Sequence, residues 1–333
     1  MPELTKHERV RAALEGDPVD RVPVSFWGHD YLREWSAEGT AAAMVETIRR
    51  FDWDFLKVNP RATYYAEAWG CRYRPSGTKT EGPVCESWVL HTHEDLARIA
   101  PVDPRGGPFA EQLEALRLIA EALAGQTPFI QTVFSPLATL GLLANRDVGR
   151  VREWMRFHPE AVEQALAAIA ETLAGYARAC VEAGAAGVFF ATVEWGTSDN
   201  LTPEEFARFS RPYDLTVLKA AQDGWFNVLH VCRRNNLLEA ALDYPVHAFS
   251  WSIHEEGNPP FRTILRESDK AVLGGIDQRT LLDGTPEQVR QQTEEALVAT
   301  GGRRLLLGPG CSISPLTPEA NLRAVLAAVR ART

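Results

Sequence analysis

His230 and Cys232 form a His-x-Cys pair at the end of the apolar run Trp225-Phe226-Asn227-Val228-Leu229-His230-Val231-Cys232. Residues two apart on a strand face the same side, so a strand here aims both side chains into one space. A third soft donor, Cys311, follows another apolar run in Leu307-Gly308-Pro309-Gly310-Cys311-Ser312. One imidazole and two thiolates leave one position open on a tetrahedral zinc ion, the usual form of a catalytic site. Glu194, closing the run 187–194, is a candidate fourth ligand that substrate displaces, or a base beside the reacting group. Its alternative is an ordinary solvated or ion-paired carboxylate.

The donor types narrow the chemistry. Three histidines would leave zinc its full charge to acidify water for hydrolysis. Two thiolates cancel that charge, yet coordination still favours the anion of an incoming thiol. Its sulfur stays electron-rich, which suits alkylation of a thiol, methyl transfer being the obvious case. Arg233 and Arg234 could hold an anionic substrate group, or could face solvent before a helix. Trp27, Tyr64, Tyr65, Trp195 and Trp251 are candidate walls of a flat apolar cavity. Cys180 reads as core filler, and Cys71 and Cys85 have no ligand spacing.

Eight stretches can supply the strands that position these groups: 21–27, 54–58, 129–134, 187–194, 225–232, 246–253, 271–276 and 303–307. Helical patterns follow most of them. Thr202-Pro203-Glu204-Glu205, Thr285-Pro286-Glu287 and Thr317-Pro318-Glu319 each join a capping hydroxyl to Pro and an acid in the first turn. The helix from Thr202 is expected to reach Asp223, bent or interrupted by Pro212. Continuous apolar strands such as 187–190 and 305–307 suit a parallel sheet covered on both faces. Eight βα units predict an α/β fold, a single TIM (β/α)8 barrel over 1–333, whose chemistry lies at the C-terminal ends of the strands. Residues 61–107, rich in aromatics, Pro and Gly, read as an irregular excursion after strand two, with a short strand at 86–91.

The 333-residue length and 45% hydrophobic content suit a globular protein with a sizeable core. A net charge of −9 argues against broad nucleic-acid binding and against attachment to anionic membranes. The chain has no apolar signal core at its start and no 18-residue apolar span, so a cytoplasmic location is expected. Five cysteines without a CxxC pair do not suggest a disulfide framework.

The opening Gly16-Asp17-Pro18-Val19-Asp20-Arg21-Val22-Pro23-Val24 and the segment Phe134-Ser135-Pro136 before Thr139-Leu140 form a wider pattern. So do Gly274-Gly275-Ile276-Asp277 before Leu281-Leu282, Gly284-Thr285-Pro286, and Gly308-Pro309-Gly310-Cys311 before Thr317-Pro318-Glu319. By these features the chain resembles the uroporphyrinogen decarboxylase superfamily over nearly its whole length, which implies a TIM barrel. The decarboxylase branch holds a tetrapyrrole with an arginine-rich segment after strand one and an aspartate after strand two. Here that segment reads Phe26-Trp27-Gly28-His29-Asp30-Tyr31-Leu32-Arg33, Asn59 stands where the aspartate is expected, and Cys311 stands near a decarboxylase histidine. The zinc methyltransferase branch carries His-x-Cys and a second Cys far downstream, which His230, Cys232 and Cys311 match. That branch implies zinc, a methylated corrinoid carried by a partner protein as methyl donor, and a small thiol such as coenzyme M as acceptor. A homodimer is compatible with the same resemblance. The alternatives from the sequence are a uroporphyrinogen decarboxylase and a non-catalytic corrinoid- or tetrapyrrole-binding protein.

Overall fold

Short runs of buried Val, Leu, Phe and Ile become parallel strands because helices cover their outer face and side chains from across the barrel cover the inner one. The computed structural model describes residues 2–331; residues 1, 332 and 333 of the expected 1–333 span lie outside it. In chain order the strands are β1 (Leu56–Val58), β2 (Arg72–Arg74), β3 (Val84–Ser87), β4 (Phe129–Phe134), β5 (Gly187–Ala191), β6 (Val228–His230), β7 (Ala248–Ser250), β8 (Ala271–Ile276) and β9 (Leu305–Pro309). Seven form one sheet in the order β1-β4-β5-β6-β7-β8-β9, every pair parallel. The sheet curls into a distorted TIM-type barrel flanked by helices. Among the described residues no helix is long and apolar enough to cross a membrane.

The expected first strand, 21–27, survives as a seam rather than a regular strand. Its ladder is reduced to the single parallel bridge Val24–Leu307. Leu307 N–H donates to Pro23 O at 2.8 Å and Ser25 N–H to Leu307 O at 3.0 Å, while Asp54 N–H donates to Val24 O at 2.9 Å. The segment thus bonds to β9 on one side and to the start of β1 on the other. Pro23 has no N–H to give, and the Val24 N–H is taken by the Asp54 carboxylate at 2.8 Å. The ladder is broken by these two residues.

Residues 61–107 are less irregular than their composition suggests. They hold a buried turn of helix (Tyr64–Ala68), the antiparallel hairpin β2–β3, and a 3-10 segment (His93–Arg98). The strand in this region is Val84–Ser87, earlier than the expected 86–91. The helix announced by Thr202 has its capping box, Thr202 Oγ accepting from the Glu205 N–H. It runs only over Pro203–Phe209 and restarts as Arg211–Ala220. Pro212 cannot donate to the carbonyl one turn earlier, which explains the break.

That break buries Asp214. Its Oδ2 accepts from Ser210 Oγ and from the Tyr244 hydroxyl, both at 3.0 Å, and its Oδ1 has no partner among the described residues. Burial pushes the carboxyl up to about 7, against the pull of the Tyr244 and Ser210 hydrogen bonds and of Arg211. A carboxyl whose folded pKa lies above the unfolded value of about 3.9 loses stability as pH rises from about 4 to about 7. Asp214→Asn is therefore expected to gain on the wild type between pH 5 and pH 8. Urea midpoints at the two pH values check this, and an identical pH slope in both proteins would refute it.

Candidate metal centre

His230 is the last residue of β6, in register with Ala191 of β5 and Ser250 of β7. Its ring stacks on Phe189, centroids 5.0 Å apart, and its Nδ1 lies 3.1 Å from Ser250 Oγ. With Nδ1–H donating to that hydroxyl, Nε2 is the free donor, oriented by an outer partner as metal-binding histidines usually are. Cys232 follows two residues later, just past the strand end.

Cys311 reaches the same place from farther away. β6 and β9 are separated by β7 and β8, so the thiol has to come from the loop beyond β9. Gly310 makes the approach feasible. A Cβ at this position would meet Ser252 Cβ at 2.6 Å and Oγ at 2.7 Å, so only glycine passes so close to the segment after β7. One donor atom from each of His230, Cys232 and Cys311 then lies within 4.8 Å of the others.

The two sulfurs share a proton. Cys232 is pushed well above the usual thiol range by its hydrogen bond to Cys311, by burial and by the charge on Cys311. Cys311 is held well below it by the Cys232 hydrogen bond, against burial, with further help from His230 and the Ser312 N–H. This is a thiol–thiolate pair beside an imidazole, a donor set suited to zinc and other borderline-soft metals.

The donors open into a cavity of about 190 Å³ walled by Trp27, Tyr65, Phe134 and Phe189. Three of the expected wall residues do not reach it: Tyr64, Trp195 and Trp251 are packed in the core. Arg233 and Arg234 do not line it either, and Arg234 pairs with Asp199 on the surface at 2.9 Å. The cations that do line it are Lys57 and Arg146, with His29 at the mouth. Arg146 donates to Glu194 Oε2 at 3.0 Å, and His29 pairs with Glu34 at 2.8 Å. Lys57 is 3% exposed on β1. Its ammonium donates to Asn59 Oδ1 and lies over the rings of Phe189 and Trp27, at 4.8 and 5.9 Å from their centroids. Burial pulls its pKa down to about 7, against the upward pull of Cys311 and Cys232. The sequence signal was a lysine inside the apolar run Phe55-Leu56-Lys57-Val58, which a strand pattern alone reads as noise.

Glu194 is buried in a 3-10 turn, Val193–Trp195, and stands outside the three-donor cluster. The turn carries strain, since Val193 has φ 51°, a region β-branched residues rarely enter, and it places Val193 on the cavity wall. Glu194 Oε1 is buried without a hydrogen-bond partner among the described residues. The carboxylate is near enough to Cys232 to help raise its thiol.

An outer cleft of about 350 Å³ shares His29, Ala62 and Arg146 with the inner cavity. Tyr73 and Cys85 of the β2–β3 hairpin form one of its walls. The excursion after the second strand therefore reaches the mouth of the site.

A uroporphyrinogen decarboxylase (URO-D) family model matches residues 5–332. The chain is 27% identical to "Methylcobamide:CoM methyltransferase MtaA" of Methanosarcina barkeri, covering 98% of each chain. It is 27% identical to "Methylcobamide:CoM methyltransferase MtbA" of Methanosarcina acetivorans, covering 97% of each. A "Uroporphyrinogen decarboxylase" of Carboxydothermus hydrogenoformans is 26% identical over 68% of this chain and 63% of its own length. Among solved structures, a "methyltransferase from Methanosarcina mazei" superposes with a TM-score of 0.82 at 25% identity, covering 99% of both chains.

Proposed function

The chain belongs to the uroporphyrinogen decarboxylase (URO-D) family, and within it we propose a zinc-dependent methyltransferase that moves a methyl group from a methylated corrinoid, carried by a partner protein, to a thiol. The observation that carries this reading is the convergence of His230, Cys232 and Cys311 at one end of a small, aromatic-walled cavity. When bound there, zinc would favour the thiolate form of the acceptor without acidifying water strongly.

The protein's own residues supply the rest. His230 and the two cysteines fix the donor set, and Ser250 orients the imidazole. Trp27, Tyr65, Phe134 and Phe189 exclude water from the sulfur nucleophile. Glu194 serves as a resting-state ligand or as a base for the acceptor proton, with Arg146 steering its second oxygen. The acceptor sulfur attacks the methyl carbon. A C–S bond forms as the cobalt–carbon bond breaks, and the electron pair of that bond stays on cobalt. The corrinoid partner would approach over the outer cleft, beside the β2–β3 hairpin.

Decarboxylation of a tetrapyrrole fits less well. A macrocycle with several carboxylates needs a large site ringed by cations, whereas this cavity holds about 190 Å³ and two non-histidine cations line it. The test is incubation of zinc-loaded protein with methylcobalamin and 2-mercaptoethanol. Loss of the methylcobalamin spectrum with an equal amount of thioether formed is expected. No demethylation, together with carbon dioxide released from uroporphyrinogen, would overturn the proposal in favour of the decarboxylase.

A further inference from the structure

The charges around the cavity do not balance once its donors are used. A neutral imidazole and two thiolates cancel the charge of a divalent zinc ion, so a loaded site is electrically neutral. An acceptor thiolate would therefore enter as an uncompensated anion in a buried space, which is costly unless a cation faces it. Among the described residues lining the cavity there is no carboxylate, and both Arg146 and His29 already have one. Lys57 is different: it is buried, and among the described residues no carboxylate lies within ion-pair distance of it. Asn59 Oδ1 and the faces of Phe189 and Trp27 are neutral groups that favour an ammonium without cancelling its charge. Cys311 and Cys232 are the anions near enough to act on it. Zinc would take up their charge, so an ammonium here is matched only when an acceptor anion enters.

We propose that Lys57 is the counter-charge for the acceptor sulfur, an ammonium that holds the acceptor in the cavity as its thiolate. This rests on the zinc methyltransferase reading and adds a binding residue to it. The role concerns the sulfur itself and not a charged tail elsewhere on the acceptor. Binding would then displace the thiol proton, to Glu194 or to solvent, and set the thiolate against the ammonium.

Calorimetric titration of zinc-loaded protein with two probes at neutral pH tests this: uncharged 2-mercaptoethanol and anionic 3-mercaptopropionate. Lys57→Met removes the charge while keeping an unbranched chain, and Lys57→Arg keeps the charge. The Met variant is expected to bind zinc as the wild type does but to bind both thiols about 30-fold or more weakly, with partial recovery in the Arg variant. Weakening of 3-mercaptopropionate alone would overturn the proposal, because Lys57 would then read the tail. Unchanged binding of both thiols with zinc in place would also overturn it, leaving the metal reading intact. A wild type that takes up no zinc removes both.

Discussion

Alanine at either Cys232 or Cys311 is expected to empty the metal site while leaving the barrel folded. Wild-type protein purified without chelator should carry about one zinc per chain, as a three-donor site with one open position implies. Outer partners of metal ligands already cost 10- to 100-fold in affinity when removed, so loss of a direct sulfur donor should exceed about 100-fold. Elemental analysis with circular dichroism on each variant checks both parts. The barrel should tolerate the changes, because neither side chain lies in a regular strand and both face the cavity. Metal uptake has to expel the proton that the two sulfurs share, so zinc affinity in the wild type should weaken in acid. Methyl transfer should vanish with the metal. A protein that merely captured a corrinoid or tetrapyrrole would keep its ligand in both variants. A wild type unable to take up added zinc would remove the methyltransferase reading altogether.

The His-x-Cys pair was legible because a two-residue spacing survives the inaccuracy of strand boundaries. β6 ends at His230, and Cys232 lies beyond it, yet the thiol still points to the same space. Cys311 was legible for another reason: Gly310 and Gly308 mark a backbone that passes close to its neighbours, as Gly310 does against Ser252. Helix starts with a capping hydroxyl and Pro are local signals, and those at Thr202 and Thr285 formed as expected, whereas the last helix begins at Glu319 after Pro318, with no cap bond from the Thr317 hydroxyl. What could not be read was long-range. Which aromatic faces the cavity depends on barrel curvature, so Trp27 and Tyr65 were right where Tyr64, Trp195 and Trp251 were wrong. Lys57 and Arg146 become cavity residues only through the neighbours that fold against them. The charged pair Arg233-Arg234 looked chemical because it followed the candidate donors, but adjacency in sequence did not carry the side chains inward.

The seam at the first strand yields the other large effect, at the opposite end of the barrel. Asp54 is fully buried and accepts four hydrogen bonds. These come from Arg9 Nη1 at 2.8 Å, from Arg21 Nη1 and Nη2 at 2.6 and 2.8 Å, and from the Val24 N–H at 2.8 Å. Arg9 also forks onto Asp20, at 2.7 and 2.6 Å. Removing one member of such a buried network strands the others, at about 3–5 kcal/mol. Asp54→Ala is therefore expected to lower the unfolding free energy by that much, read as a lower urea midpoint at unchanged slope, since it orphans Arg21 and the Val24 N–H. Asp54→Asn, which keeps an acceptor, should fall between. Asp20 adds an acid limb. Burial would raise its pKa, but Arg9 and the N–H groups of Leu4 and Arg21 hold it at about 2. Because this lies below the unfolded value of about 3.9, its contribution is complete above that pH and is lost as pH falls from about 4 to about 2. Arg9→Met should flatten that limb. Asp54 precedes β1, whereas the donors lie at or past the C-terminal strand ends, so folded Asp54→Ala should still hold about one zinc per chain. An Asp54→Ala protein as stable as the wild type would mean that the barrel closes through packing alone.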